Sequence, residues 1–184
     1  MNDNAIDTIV IESPRLILRT VTLADINHVA LSWKLDAPPI LPEDAEKTIH
    51  WMCDNHKQNT SNKLVHLCLA IIHKQDGEFI GWCGLDHRNK EQKHPVLFYL
   101  LKQAYWQKGF GTEAAYALID FVFQHLDLEQ IDSSTRLDNL ASKRIMEKIG
   151  LRYLGINEEQ GYCFTLTKDE YLKQRSTQYS TRKL

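Results

Sequence analysis

The segment Tyr105-Trp106-Gln107-Lys108-Gly109-Phe110-Gly111-Thr112-Glu113-Ala114 joins an apolar run to an amphipathic pattern. The run before it, Val96–Leu101 (VLFYLL), is apolar throughout, as in a β-strand that is buried on both faces. After it, Ala114, Leu118 and Val122 recur at helical spacing. The segment therefore predicts a strand, a tight turn and a helix in direct succession.

The glycines of this turn, Gly109 and Gly111, point to an anion site. Glycine permits a tight turn and the close approach of a ligand to the backbone. The first amides of the following helix have no partner within the helix, and together with the helix dipole they favour phosphate. Lys108 adds a positive charge beside them. The same spacing also describes a turn without a ligand, and the segment lacks the third glycine and the Lys-Ser/Thr pair of common nucleotide-binding loops.

Working outward, apolar periodicity and turn residues predict an α/β (α+β) chain with the element order β-α-α-β-β-β-α-β-α-β-β-α. Consecutive strands followed by strand–helix alternation indicate a mixed sheet with helices on both faces. The predicted strands cover 15–21, 65–72, 79–85, 96–101, 131–137, 151–154 and 162–166, and the predicted helices cover 23–30, 43–57, 114–125, 141–149 and the region after Thr167.

The composition excludes several classes of protein. The 184 residues carry 22 Lys+Arg against 24 Asp+Glu, which gives a net charge of −2 and argues against a strongly basic nucleic-acid binder. The hydrophobic share of 43% excludes collagen and a wholly disordered chain. This length predicts one domain over residues 1–184, with a core over about 12–172 and a flexible tail over 173–184.

No positively charged region precedes an apolar run at the N-terminus, so no signal peptide is expected. No stretch of the sequence approaches the ~18 apolar residues that a membrane span needs. The cysteines, Cys53, Cys68, Cys83 and Cys163, form no C-x-x-C pair, so reduced thiols in or near the core are expected rather than disulfides or a metal site. A cytoplasmic location follows as the expectation.

Several segments, in order, resemble the GNAT superfamily of acetyl-CoA-dependent N-acetyltransferases, and within it the RimJ/RimL-like branch. Residues 105–114 are similar to that branch's Tyr-Trp-Gly-Lys-Gly-Tyr-Ala-Thr-Glu-Ala pattern, although Gln107 replaces a glycine. The other matching segments are Glu12–Arg19, Leu23–Ile26, Phe79–Gly84, Asn139–Ser142 and Met146–Leu151. The likeness spans about residues 12–172 and implies a mixed, mostly antiparallel central sheet.

The resemblance also implies roles for individual residues in binding acetyl-CoA as a co-substrate. Ser142 would lie near the sulfur and stabilise or protonate the leaving thiolate, and Asn139 would bind the pantetheine, although both residues are also ordinary helix-capping types. The strand residues that would pair with the pantetheine and polarise the thioester carbonyl are Phe98, Tyr99, Leu100 and Leu101. The backbone amides expected to hold the pyrophosphate belong to Gln107, Lys108, Gly109, Phe110, Gly111 and Thr112.

No general base is fixed by the sequence. Many relatives carry a glutamate on the fourth strand where this chain has Val96. Asp86, His87 and His94 lie near the expected cleft and could accept a proton, although each is also an ordinary surface residue. No histidine or cysteine spacing indicates a metal site, and none is expected.

Three functions compete at this point. The first is transfer of an acetyl group to a primary amine, either a small molecule or a protein N-terminus, with no direct nucleic-acid or membrane partner. The second is a non-catalytic CoA-binding or regulatory module, favoured by the missing carboxylate at Val96. The third is an interaction protein in which Gly109 and Gly111 only make a turn. The acceptor, which loops 33–41 and 86–94 would select, stays open, as does a homodimer.

Overall fold

A computed structural model describes residues 8–32, 38–87 and 92–181 of the chain. Its strands are β1 (Val10–Glu12), β2 (Leu16–Thr20), β3 (His66–His73), β4 (Phe79–Asp86), β5 (Val96–Leu101), β6 (Gln130–Arg136), β7 (Arg152–Ile156) and β8 (Gly161–Thr167). Its helices are α1 (Ile26–Ser32), α2 (Pro42–His56), α3 (Phe110–His125), α4 (Leu140–Lys148) and α5 (Lys168–Thr181).

The strands form one sheet in the order β1-β2-β3-β4-β5-β6-β8-β7. Neighbouring strands are antiparallel except for β5 and β6, which are parallel. In the described part of the chain, β5 and β6 pair at one position alone, Val96 opposite Asp132. The two halves of the sheet are therefore joined at one end of β5 and open at the other.

Both faces of the sheet are covered by helices, as the sequence predicts. On one face, Leu67, Leu69 and Ile71 of β3 belong to a core completed by α3, α4 and α5. On the other, Cys68 and Ala70 of the same strand belong to a core completed by α1 and α2. Because β3 is buried on both faces, it requires the almost continuous apolar sequence that it has.

The predicted element order is confirmed from β2 onward, and the structure adds β1 before it. Only Ile11 of this three-residue strand is buried, so its sequence carries too little alternation to be read as a strand. Pairing with β2 creates it, with Ile11 opposite Leu18.

The C-terminal helix extends beyond Leu172, where the apolar periodicity of the sequence ends, to Thr181. Most of segment 173–184, for which a flexible tail is predicted, is therefore helical. Arg175 Nη1 lies 2.6 Å from Asp120 Oδ1 of α3, and Gln174 donates a hydrogen bond to the Gly150 carbonyl after α4. These contacts are polar, so apolar periodicity could not reveal them.

A partly buried ion pair attaches the 3₁₀ turn before α1, Leu23–Asp25, to β2. The two terminal nitrogens of Arg19 lie 2.8 and 2.7 Å from the two carboxylate oxygens of Asp25, whose side chain is only 2% exposed. Burial raises the pKa of Asp25, but hydrogen bonds from Arg19 and from the Thr22 amide lower it by more, so the net pKa is below its usual value.

We predict that Asp25→Asn lowers the free energy of unfolding by about 1–3 kcal/mol at pH 7, because Arg19 loses its charged partner. Since the folded-state pKa of Asp25 is lowered, its contribution is fully present above the unfolded pKa of about 4 and is lost as pH falls through the folded value. Urea unfolding at pH 7 and at pH 3 should show the difference between wild type and variant shrinking with acid.

Asp54→Asn provides the control, because the Asp54–Lys57 pair has side chains 70% and 64% exposed. We expect that change to cost at most about 0.5 kcal/mol. A difference between wild type and Asp25→Asn that is constant from pH 7 to pH 3 would contradict the role given to Asp25.

Candidate active site

The turn before α3 has the backbone geometry of an anion-binding site. Gly109 is the N-cap of α3 with φ +81°, a left-handed conformation that glycine adopts without penalty. The first helical hydrogen bond runs from the Glu113 amide to the Gly109 carbonyl, at 3.0 Å. The amides of Phe110, Gly111 and Thr112 therefore precede the hydrogen-bonded part of the helix and are available to an anion.

Gln107 has φ +58°, so it occupies the left-handed region without being glycine. Such a conformation costs an ordinary residue roughly 1–2 kcal/mol. The left-handed conformation explains why the RimJ/RimL-like pattern has a glycine at this position. In this chain Gln107 adopts the same conformation without being glycine. Lys108 is exposed next to it, with Nζ 5.5 Å from the centre of the Tyr105 ring.

Gly111 serves packing rather than the approach of a ligand. A Cβ atom there would lie 3.0 Å from Ile145 Cδ1 of α4 and 3.4 Å from Leu101 Cδ1 of β5. The absence of a side chain at this position lets α3, α4 and β5 meet closely. Sequence reasoning assigned both glycines to the turn and the ligand, whereas the structure gives them different tasks.

Arg15, immediately before β2, neutralises an acid beside this turn. Its side chain lies 2.6 Å from Glu113 Oε2 and donates a 3.0 Å hydrogen bond to the Lys108 carbonyl. Ser13 donates a further 2.7 Å bond to Glu113. Burial raises the pKa of Glu113, but the bonds from Ser13 and Arg15 lower it by more, so the carboxylate stays ionised and paired.

The gap between β5 and β6 is lined by backbone peptide groups. The Lys102 amide bonds to the Ile80 carbonyl of β4, so by the alternation of antiparallel pairing the peptide groups of Phe98 and Leu100 also turn towards β4. Those of Tyr99 and Leu101 turn into the gap. Of the four residues Phe98–Leu101, these two therefore present backbone donors and acceptors to the gap.

Side chains bound the gap at both ends. At the joined end, the Ser133 hydroxyl donates to the Leu97 carbonyl at 3.1 Å. At the open end, the Trp106 indole donates to the Leu101 carbonyl at 2.7 Å. Between these two contacts lie the N–H of Leu101 and both the N–H and the C=O of Tyr99.

The start of α4 reaches the gap from the side of α3. Asn139 is the N-cap of α4, and its side-chain oxygen accepts the Ser142 amide at 3.1 Å, so its NH₂ group is the part directed to other contacts. The Tyr99 hydroxyl donates to the Ser142 carbonyl at 3.2 Å. Burial raises the pKa of Tyr99 to about 12, so this phenol stays protonated. Ser142 is thereby placed beside Tyr99.

Of the candidate bases, Asp86 lies on the face of the sheet opposite to α3 and α4. Asp86, the last residue of β4, is directly opposite Val96 and shares its face of the sheet. On that face the Phe98 ring lies over Gly84, where a Cβ atom would come within 2.4 Å of the ring.

The two histidine candidates belong to the loop that follows β4. His87 Nδ1 is 3.1 Å from the Gln92 carbonyl, so this ring contacts the loop. His94 is partly buried just before β5. Parts of both loops expected to select the acceptor, residues 33–37 and 88–91, lie outside the described residues.

The cysteines form no disulfide in the structure. In residues 8–32, 38–87 and 92–181 there is no group of three or more His, Cys, Asp or Glu arranged to hold a metal ion. Over the same ranges, no helix combines the length and the apolar character needed to cross a membrane.

Sequence reasoning missed Arg15 and the buried histidine His66, which lies 3.4 Å from Asp86. Arg15 occurs in an otherwise ordinary strand sequence, and its partner Glu113 is far away in the chain. Only the register of β3 against β4 places His66 opposite Asp86. No local pattern identifies either residue.

Comparison with known proteins connects this geometry to a family. The family model for the acetyltransferase (GNAT) domain matches residues 15–152. A protein named uncharacterized N-acetyltransferase p20, from Bacillus licheniformis, is 26% identical over 174 residues, covering 85% of this chain and 95% of that protein. The uncharacterized N-acetyltransferase YoaA of Bacillus subtilis is 22% identical, covering 94% of this chain and 93% of that protein.

Solved structures share the fold. A ribosomal-protein-S5-alanine acetyltransferase from Vibrio fischeri superposes with a TM-score of 0.75 at 16% identity, covering 89% of this chain and 98% of that one. A chimera of the spermidine N-acetyltransferase of Vibrio cholerae gives a TM-score of 0.66 at 17% identity, covering 86% and 98%. With its sheet, its split between β5 and β6 and its match to the family model over most of its length, the chain belongs to the GNAT acetyltransferase family.

Proposed function

We propose that this protein transfers the acetyl group of acetyl-CoA to a primary amine, over one domain that spans the chain. The gap between β5 and β6 carries the proposal: it opens towards the N-terminus of α3 and offers the peptide groups of Tyr99 and Leu101. An amide-containing arm can pair with those groups as an added strand would. Acetyl-CoA has such an arm between a phosphate end and a thioester end.

The phosphate end fits the start of α3. The amides of residues 107–112 and the helix dipole favour an anion there, and Lys108 adds charge. Glu113 in the first turn would oppose phosphate, and its pairing with Arg15 removes that repulsion. Arg15 therefore supports the phosphate site through Glu113 and the Lys108 carbonyl.

The thioester end fits the middle of the gap. The Tyr99 amide is proposed to polarise the thioester carbonyl, and the NH₂ group of Asn139 to bind the pantetheine. Phe98 and Leu100 contribute to this part of the site through their side chains, because their peptide groups pair with β4.

Acetyl-CoA supplies the activated acyl group, and the protein supplies position and proton transfer. Asp86 takes one proton from the acceptor ammonium, leaving an amine that attacks the carbonyl carbon as the carbon–sulfur bond breaks. Ser142 stabilises the departing thiolate. The thiolate then takes the proton that the attacking nitrogen loses as the amide forms. We prefer Asp86 to His87 as the base because Asp86 shares the face and row of Val96, whereas the His87 ring contacts the loop.

A RimJ/RimL-like role, with a protein N-terminus or a small amine as acceptor, is proposed from the motif pattern and from solved relatives named for ribosomal-protein and spermidine acetylation. The free thiols support a cytoplasmic location. A CoA-binding module without turnover is the second candidate, favoured by an apolar residue at Val96.

Gly109→Asp should abolish CoA binding, because a carboxylate would enter the phosphate site and the helix start would lose its left-handed glycine. Isothermal titration with CoA measures this. Gly77→Asp is the matched control: Gly77 also has positive φ, +72°, and nothing lies within 4 Å of its added Cβ. Equal CoA affinity in both variants would contradict the phosphate site.

Arg15→Met should weaken CoA binding roughly tenfold, or about 1.4 kcal/mol, because Glu113 is then an unpaired negative charge near phosphate. The double variant Arg15→Met/Glu113→Gln should recover part of the affinity. An affinity that falls further in the double variant would show that Arg15 does not act by neutralising Glu113.

Ser142→Ala should lower kcat about 10-fold to 100-fold and leave CoA affinity unchanged, because the hydroxyl acts only as thiolate forms. Thiol release over a panel of amines and peptide N-termini measures this. Wild-type CoA binding without release above hydrolysis for any acceptor would favour the non-catalytic module.

A further inference from the structure

His66 is a buried histidine with no role in the transfer steps proposed above. It begins β3, its side chain is 3% exposed, and neither ring nitrogen has a hydrogen bond to any described residue. The Trp51 ring of α2 packs edge-on against it, with ring centres 4.8 Å apart. Leaving buried polar nitrogens without hydrogen bonds reduces stability, so packing alone does not account for a histidine here.

One of those nitrogens lies close to the proposed base. His66 is directly opposite Asp86, and Nδ1 lies 3.4 Å from Asp86 Oδ1. The Asp86 side chain is 40% exposed and accepts the His87 amide at 2.8 Å. The carboxylate thus has one side towards the buried ring and the other towards solvent, where an acceptor could approach.

The pair lies at the joined end of the gap. Asp86 is opposite Val96, and Val96 is opposite Asp132, so one row crosses β3, β4, β5 and β6 on the face covered by α1 and α2. Neighbouring strands are about 4.8 Å apart, so Asp86 is one strand away from β5. Asp132 is already bound to Gln130 and Thr165, each at 2.8 Å.

We infer that His66 is a positioning residue for Asp86, holding its carboxylate towards the acceptor amine through Nδ1–H. The inference rests on the proposed function and adds a residue that acts behind the base. Nδ1 and Oδ1 are 3.4 Å apart without a hydrogen bond, so a small shift of the Asp86 carboxylate towards the ring brings it within reach of Nδ1–H. That donor would then fix the carboxylate and stabilise its negative charge until it accepts the proton. The carboxylate accepts that proton from the ammonium and later releases it to water.

The charged surroundings of His66 are simple in the described part of the chain. Asp86 faces it from β4, Trp51 contributes an uncharged ring from α2, and Cys68 follows on the same face of β3. Burial raises the pKa of the Cys68 thiol well above its usual value, so that group stays neutral. Asp86 is then the group that decides which ring nitrogen of His66 carries the proton.

Nitrogen NMR of the histidine rings tests the contact without any substrate. We expect the proton on Nδ1 of His66 in the wild type and a shift towards Nε2 in Asp86→Asn. His56, buried to the same 3%, serves as an internal comparison whose tautomer should not change. The same tautomer of His66 in wild type and Asp86→Asn would overturn the inference.

Kinetics then test the role in transfer. His66→Leu should lower kcat/KM for the amine about tenfold, with KM for acetyl-CoA within about twofold, and His66→Asn should restore part of the loss because its amide can donate in place of Nδ1. Asp86→Asn should cost more, and His66→Leu/Asp86→Asn should be no worse than Asp86→Asn alone.

The outcomes separate the inference from the proposed function. Losses that multiply in the double variant, or a loss confined to acetyl-CoA affinity, would overturn the role of His66 while leaving the acetyltransferase in place. A wild type that binds CoA and acetylates no amine would refute the proposed function and, with it, the positioning role.

Discussion

The parallel pairing of β5 and β6 at one position is the constraint on which the site depends. Val96 and Asp132 join the strands, and the Ser133 hydroxyl adds a bond to the Leu97 carbonyl at the same end. Beyond this join, each strand pairs fully with its outer neighbour, β4 or β8. Two well-paired half-sheets are therefore joined at one end and separated at the other. The strand topology thus leaves backbone groups on the β6 side of β5 without a partner strand.

Charge at the start of α3 is balanced across three elements. The helix start, Lys108 and the left-handed Gly109 favour an anion, whereas Glu113 opposes one. Arg15, just before β2, pairs with Glu113 and donates a hydrogen bond to the Lys108 carbonyl at the same time. A long-range ion pair thus sets both the shape and the charge of a local turn.

Much of this architecture could be predicted from the sequence, because local patterns encode it. β5 was predicted with its observed bounds, and the tight turn at Gly109 and the N-cap role open to Asn139 follow from residue type. The remaining features depend on contacts between distant segments. β1 exists through its pairing with β2, and the contact of His66 with Asp86 exists only through strand register. No periodicity in a single segment can express either one.

Cys83 shows how burial in the sheet lowers the reactivity of a thiol next to the candidate site. Directly opposite Tyr99 in β4, this cysteine is fully buried, and burial raises the pKa of its thiol well above the usual range. A thiolate in that place would be a stronger nucleophile than the acceptor amine and would be acylated itself. Because burial keeps this thiol protonated, Cys83 would be protected from acylation by a thioester held, as proposed, at Tyr99 on the neighbouring strand.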